Sequence, residues 1–106
     1  MRREEAAKAP VFAALGDETR LAIVWRLSSQ GALSIARLTD GTDLTRQAVT
    51  KHLRVLEGAG LVKSMREGRE SLWELSPRKL EEARRYLDRV SAEWDARLDR
   101  LAKLVE

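Results

Sequence analysis

Between positions 45 and 54 the chain reads TRQAVTKHLR, with three permanent cations and no acid. At helical spacing Arg46, Gln47, Thr50, Lys51 and Arg54 share one side, and Ala48, Val49, Leu53 and Leu56 share the other. Such a polar side fits double-stranded DNA. Arg46 can donate two hydrogen bonds to a guanine edge, and Gln47 can pair with adenine. Thr50 offers a hydroxyl and a methyl, while Lys51 and Arg54 suit phosphate oxygens. Thr45, at the start of the same face, can also cap the helix. A helix about 10–12 Å wide enters a B-DNA major groove of roughly 12 Å with its N-terminal residues nearest the bases. Arg66 and Arg69, one on each side of Gly68, form a second basic cluster placed to reach the DNA backbone or the minor groove. His52 is the only histidine and lies between the polar and apolar sides. It either donates a hydrogen bond to DNA or packs partly under the helix, and the sequence does not separate these.

The remaining chemistry is sparse. The chain has no cysteine, which excludes disulfides, thiolate metal sites and thiol redox sensing. A lone histidine without nearby ligands is a poor metal site. There is no nucleophile with a paired base and no phosphate-binding glycine loop, so no catalytic residue is expected and the protein is not expected to be an enzyme. No cofactor is implied. No apolar run approaches the roughly 18 residues of a membrane span, and the start, MRREEAAKAP, does not read as a secretory signal. A cytoplasmic protein with no membrane partner is the expectation.

Positioning these residues requires a small domain. The 106 residues allow one, spanning 1–106, with an ordinary apolar fraction of 43% and a high charged fraction of 35%. The net charge is only +3, but it is unevenly spread. Arg37 to Arg69 holds seven Lys/Arg against four Asp/Glu, whereas Pro77 to Glu106 holds eight against seven.

Residues 4–15 read as a weak helix that Pro10 limits and Gly16 stops. Asp17 caps a second helix through about Ser29, with Leu21, Ile23, Val24 and Leu27 as its apolar side and Trp25 at the edge. Leu33 begins a minimal strand, and Ser34 caps a short third helix with Ile35 and Leu38 facing inward. TDGTD, residues 39–43, is a turn, after which Thr45 caps the polar helix, about 45–57. Residues 61–75 form a hairpin around Glu67-Gly68, anchored by Trp73. Ser76-Pro77 then starts a helix that nothing interrupts to Glu106.

That last helix carries Leu80, Ala83, Leu87, Val90, Trp94, Leu98, Leu101 and Val105 at intervals of three and four. A helix of about thirty residues is about 45 Å long. A core of this size cannot cover it all, so part of the seam is expected to pack on a second copy. Phe12 from the first helix is placed with Leu80, Leu87, Val90, Trp94, Leu98, Leu101 and Val105 in that homodimer interface. The alternative is that the seam folds back on the first helix of its own chain. The fold expected is mainly α with a small β-hairpin, a winged helix-turn-helix with a long C-terminal dimerisation helix.

In this order, "ALGDETRLAIVWRL", "LTRQAVTKHLRVLEGAGLV" and "REGRESLWEL" resemble the second helix, recognition helix and wing of the ArsR/SmtB family of bacterial winged-helix repressors. The likeness spans nearly the whole chain. Glu18 stands where Pro is usual, and Thr50 where Ser is commoner. The resemblance implies a homodimer paired through the first and last helices, binding imperfect palindromes and repressing transcription, often until an effector binds. It does not imply metal sensing. The family's sensors carry Cys-x-Cys in the third helix or His and carboxylate ligands along the last. Here LSIARLTDGTD has no cysteine, and the last helix has no histidine. Its acids Asp88, Glu93, Asp95, Asp99 and Glu106 alternate with arginines as surface charge. The expected function is a metal-independent DNA-binding regulator. The alternatives are a protein-interaction adaptor built on the C-terminal helix, and a repressor sensing an unidentified small molecule in a tryptophan-lined pocket.

Overall fold

A computed structural model describes residues 2–105; Glu106, expected to end the last helix, lies outside the described residues. The order is α1 (Arg3–Leu15), α2 (Glu18–Gln30), β1 (Leu33–Ser34), α3 (Ile35–Thr39), α4 (Arg46–Gly58), β2 (Val62–Glu67), β3 (Glu70–Leu75) and α5 (Pro77–Leu104). The three strands form one antiparallel sheet in the order β1-β3-β2. This is a winged helix-turn-helix, mostly helical, with a long C-terminal helix.

Local chemistry explains most of the boundaries. Asp17, Ser34 and Thr45 accept hydrogen bonds from the backbone N–H groups of Arg20, Arg37 and Ala48 at 3.0, 3.2 and 3.0 Å. Each satisfies a donor that the first helical turn leaves without a partner. Gly31 closes α2 at a φ of +81°, a backbone region that favours glycine. In the hairpin Glu67 pairs with Glu70, leaving Gly68-Arg69 as a two-residue loop. Gly68 has a φ of +63° and Arg69 a negative φ, the pattern of a type II′ turn.

Two starts and stops differ from the sequence reading. Pro10 lies inside a continuous α1 instead of limiting it. Its missing N–H costs one helical bond, to Ala6, and both residues are exposed, where water can serve the carbonyl. Ser76 occupies the N-cap position of α5 but makes no side-chain capping bond. Its backbone N–H instead donates to the Leu61 carbonyl at 2.9 Å, pinning the start of α5 to the entry of the wing.

The core lies where α1, α2, α3 and α4 meet the sheet. Leu53, Leu56 and Leu61 are completely buried, with Val49, Ile23, Val24, Leu27, Leu33, Leu38 and Val11 around them. Burying one such side chain contributes about 1.5–3 kcal/mol. Leu21, expected on the inner side of α2, is 55% exposed and shares an outer face with Trp25, 72% exposed. Ile23, Val24 and Leu27 fill the inner arc, and Leu21 falls outside it. Trp73 is buried at the middle of β3, paired with Leu33 on one side and Ser64 on the other, and so anchors the wing.

Only the beginning of α5 belongs to this core. Ala83 is buried and Leu80 partly so, and the tilted rings of Phe12 and Tyr86 join α1 to α5 with centroids 6.0 Å apart. Beyond them Leu87, Val90, Trp94, Leu98, Leu101 and Val105 are all exposed in the single chain. Helix α1 runs beside α5 as far as the Glu4–Arg89 ion pair, yet the seam residues from Leu87 onward stay open.

Candidate nucleic-acid interface

Helix α4 sits across α3 with its apolar side in the core, so its remaining side is set by elimination. Val49, Leu53 and Leu56 point inward, and Arg46, Gln47, Lys51 and Arg54 are exposed. Among the described residues the side chains of Arg46, Gln47 and Lys51 have no hydrogen-bond or ion-pair partner, and all three are exposed. Leaving two cations and an amide unpaired at a helix start has no evident structural benefit. It suits a ligand that brings acceptors.

The other members of the face are already partly engaged. Thr45 Oγ1 accepts the Ala48 N–H at 3.0 Å, so its hydroxyl serves the helix start. Thr50 Oγ1 donates to the Arg46 carbonyl at 2.7 Å, within its own helix. Arg54 pairs with Glu57 at 2.9 Å and lies over the Trp73 ring, 5.4 Å from its centroid. It therefore ties α4 to the wing, and its charge is partly neutralised by Glu57. The sequence shows the i,i+3 pair but has no signal for the stacking on Trp73.

His52 is drawn away from the open face. Its Nδ1 lies 3.3 Å from Arg20 Nη1 and 3.7 Å from Asp17 Oδ2, both at the start of α2. His52 is half-buried, and its Nδ1 edge faces the start of α2. The Arg20 backbone N–H bonded to Asp17 holds that carboxyl below the usual carboxylate range. Asp17 therefore stays charged beside the histidine.

In the wing, Arg66 and Arg69 are exposed toward the hairpin tip, while Lys63 pairs with Glu74 at 3.5 Å. Arg46 also borders a shallow polar hollow with Arg37, Thr39, Asp40, Thr42 and Leu44, the surface of the turn between α3 and α4.

Two arginines that sequence reasoning passed over position these helices. Arg26 donates to the carbonyls of Leu38 and Arg37 at 3.1 and 3.2 Å, fixing the end of α3 against α2. Arg20 reaches α1 at the Ala14 carbonyl and α4 at His52, at 2.7 and 3.3 Å. Both partners of each are more than five residues away, beyond the reach of helical periodicity.

Among the described residues no three His, Cys, Asp or Glu side chains come together as a metal site, and no helix is long and apolar enough to cross a membrane.

Comparison with known proteins follows the same lines. A helix-turn-helix domain model matches residues 15–64. An ArsR-like transcriptional regulator from Rhodococcus sp. RHA1 superposes with a TM-score of 0.78 at 40% identity, covering 95% of this chain and 94% of that one. An HTH-type transcriptional regulator of Mycobacterium tuberculosis is 38% identical over 93 residues, 88% of this chain and 83% of the relative. The arsenical resistance operon repressor of Escherichia coli is 36% identical over 67 residues, 63% of this chain and 57% of the relative.

Proposed function

The chain belongs to the ArsR/SmtB family of helix-turn-helix transcriptional regulators, and on that premise we propose that it is a homodimeric repressor reading an inverted-repeat operator without a metal cofactor. The observation that carries this reading is the unpaired trio Arg46, Gln47 and Lys51 on the exposed start of a capped helix. Arg46 and Gln47 read base edges, Lys51 holds phosphate, and Arg66 and Arg69 in the wing add contacts to the backbone or minor groove. Thr45 keeps a hydroxyl proton to donate and Thr50 keeps lone pairs to accept, so both can meet the DNA beside their bonds to the helix.

The dimer is supported by α5. It has 28 residues, about 42 Å, and an apolar seam that the single chain leaves open. At its root an apolar groove of about 390 Å³ lies between α1 and α5, lined by Phe12, Leu15, Leu80, Ala83 and Leu87. A second copy laid on this face would cover the groove and the seam together. Two-fold symmetry would then present two copies of α4 to adjacent major grooves, about one helical turn apart. Repression is supported by the relative named as an operon repressor, since a dimer on a promoter excludes polymerase. Metal independence is supported by the absence of cysteine from the sequence and of histidine from α5.

Selection from a random duplex library with EDTA present tests this reading. The expected pool is an inverted repeat with half-sites about one turn apart. An unenriched pool would turn the reading toward the adaptor role of the α5 seam.

A further inference from the structure

The guanidinium of Arg20 joins three helices. Its Nε donates to the Ala14 carbonyl at 2.7 Å, and its Nη1 donates to His52 Nδ1 at 3.3 Å. Its own backbone N–H donates to Asp17 Oδ2 at 3.0 Å. The Ala14 carbonyl belongs to the last turn of α1, where helical acceptors lack N–H partners. No basic residue of α1 itself lies in that turn, so Arg20 brings the charge that favours the negative end of the helix.

The bond to His52 has a chemical consequence. Arginine is a donor only, so Nδ1 must accept, and the neutral ring then carries its proton on Nε2. Asp17 Oδ2, at 3.7 Å, is beyond hydrogen-bond distance of Nδ1. The edge of α4 that bears His52 is thus held by one directional bond next to the non-directional packing of Leu53 and Leu56. Apolar packing sets the rotation of α4 about its axis, and a directional bond at one edge narrows it further. A rotation of about 10° moves a side-chain tip 5–6 Å from the axis by about 1 Å. Hydrogen bonds to base edges do not survive such a shift, whereas a flexible lysine follows a phosphate.

We propose that Arg20 is a positioning residue for DNA reading: through His52 Nδ1 it ties the rotation of α4, and so the aim of Arg46 and Gln47, to the end of α1. This rests on α4 being the reading helix. Losing the tie lowers discrimination between DNA sequences more than it lowers overall binding. Because Phe12 of α1 packs on Tyr86 of α5, the same tie connects the reading helix to the α1–α5 layer.

Three variants of the full chain test this: His52→Asn, His52→Gln and Arg20→Lys. Asparagine places its amide oxygen near the position of Nδ1, where Arg20 still donates to it. Glutamine places its polar end near Nε2, on the far edge of the ring. Affinity for the selected duplex and for a scrambled duplex is measured by fluorescence anisotropy, with the folded fraction taken from each denaturation curve. His52→Asn is expected to keep the wild-type ratio of the two affinities within about twofold, and His52→Gln and Arg20→Lys to lower it on the order of tenfold. The reverse order, with glutamine active and asparagine not, makes His52 a DNA contact through Nε2 and overturns the proposal. Equal ratios in all variants overturn it too. A wild-type chain that does not discriminate between duplexes removes the DNA reading itself and the proposal with it. Independently of DNA, long-range 15N spectra of the imidazole are expected to show the Nε2–H form in the free wild type. A ring protonated at Nδ1 instead overturns the proposal even where DNA reading stands.

Discussion

In the proposed complex Arg46 and Gln47 divide the work from Lys51 by what each can recognise. A guanidinium fork and a carboxamide match base edges, and an ammonium is a point charge that follows phosphate. Arg46→Ala or Gln47→Ala is expected to cost about 1–3 kcal/mol on the preferred duplex and far less on a scrambled one. Parallel binding titrations check this, and equal losses on both duplexes would remove the two residues from base readout. Arg69 sits in the loop of the hairpin and is exposed, with no ion-pair partner among the described residues. Arg69→Ala is expected to weaken all duplexes alike and to reduce the slope of log affinity against log salt by about one. An unchanged slope takes Arg69 off the phosphate backbone.

At the scale of elements, the interface depends on how α4 starts. Thr45 supplies the capping oxygen, and its removal leaves the Ala48 N–H unpaired at the start of the proposed reading helix. Thr45→Ala is expected to lower unfolding stability by about 1 kcal/mol, read from the shift of the urea midpoint at constant m-value. Three helix caps, the hairpin with its Gly68 turn, the strand at Leu33 and the exposed polar side of α4 were legible in the sequence, because each is written in neighbours a few residues apart. Other features depend on partners distant in the chain. Arg20 and His52 are 32 residues apart, and nothing local connects them. The stacking of Arg54 on Trp73 and the clamp of Arg26 on the end of α3 are hidden in the same way. Leu21 misled for a different reason. Apolar type at helical spacing does not say how wide an arc the neighbours can cover, and α2 has room inside only for Ile23, Val24 and Leu27.

For the whole molecule, the long dimension is α5, and its open seam is the largest unmet demand for burial. Leu87, Val90, Trp94, Leu98 and Leu101 stand between 44% and 56% exposed, in one row on a helix whose other sides are charged. A carboxylate placed in that row costs little in a monomer and a great deal between two apolar seams. Leu98→Glu is expected to give a folded monomer with unchanged helicity and with affinity for the inverted repeat reduced to that for a single half-site. Sedimentation and circular dichroism read the two halves of this expectation. A Leu98→Glu chain that remains dimeric would move the interface off the distal half of α5.

The central claim is that two copies read one face of DNA together without metal. The most direct measurement is the mass of the complex on the selected duplex in EDTA, repeated on a duplex with about five base pairs inserted between the half-sites. Half a helical turn places the half-sites on opposite faces, out of reach of a rigid two-fold pair. The account predicts two chains per duplex on the original site and loss of that joint binding after the insertion. One chain per duplex, or a complex indifferent to the insertion, would contradict it.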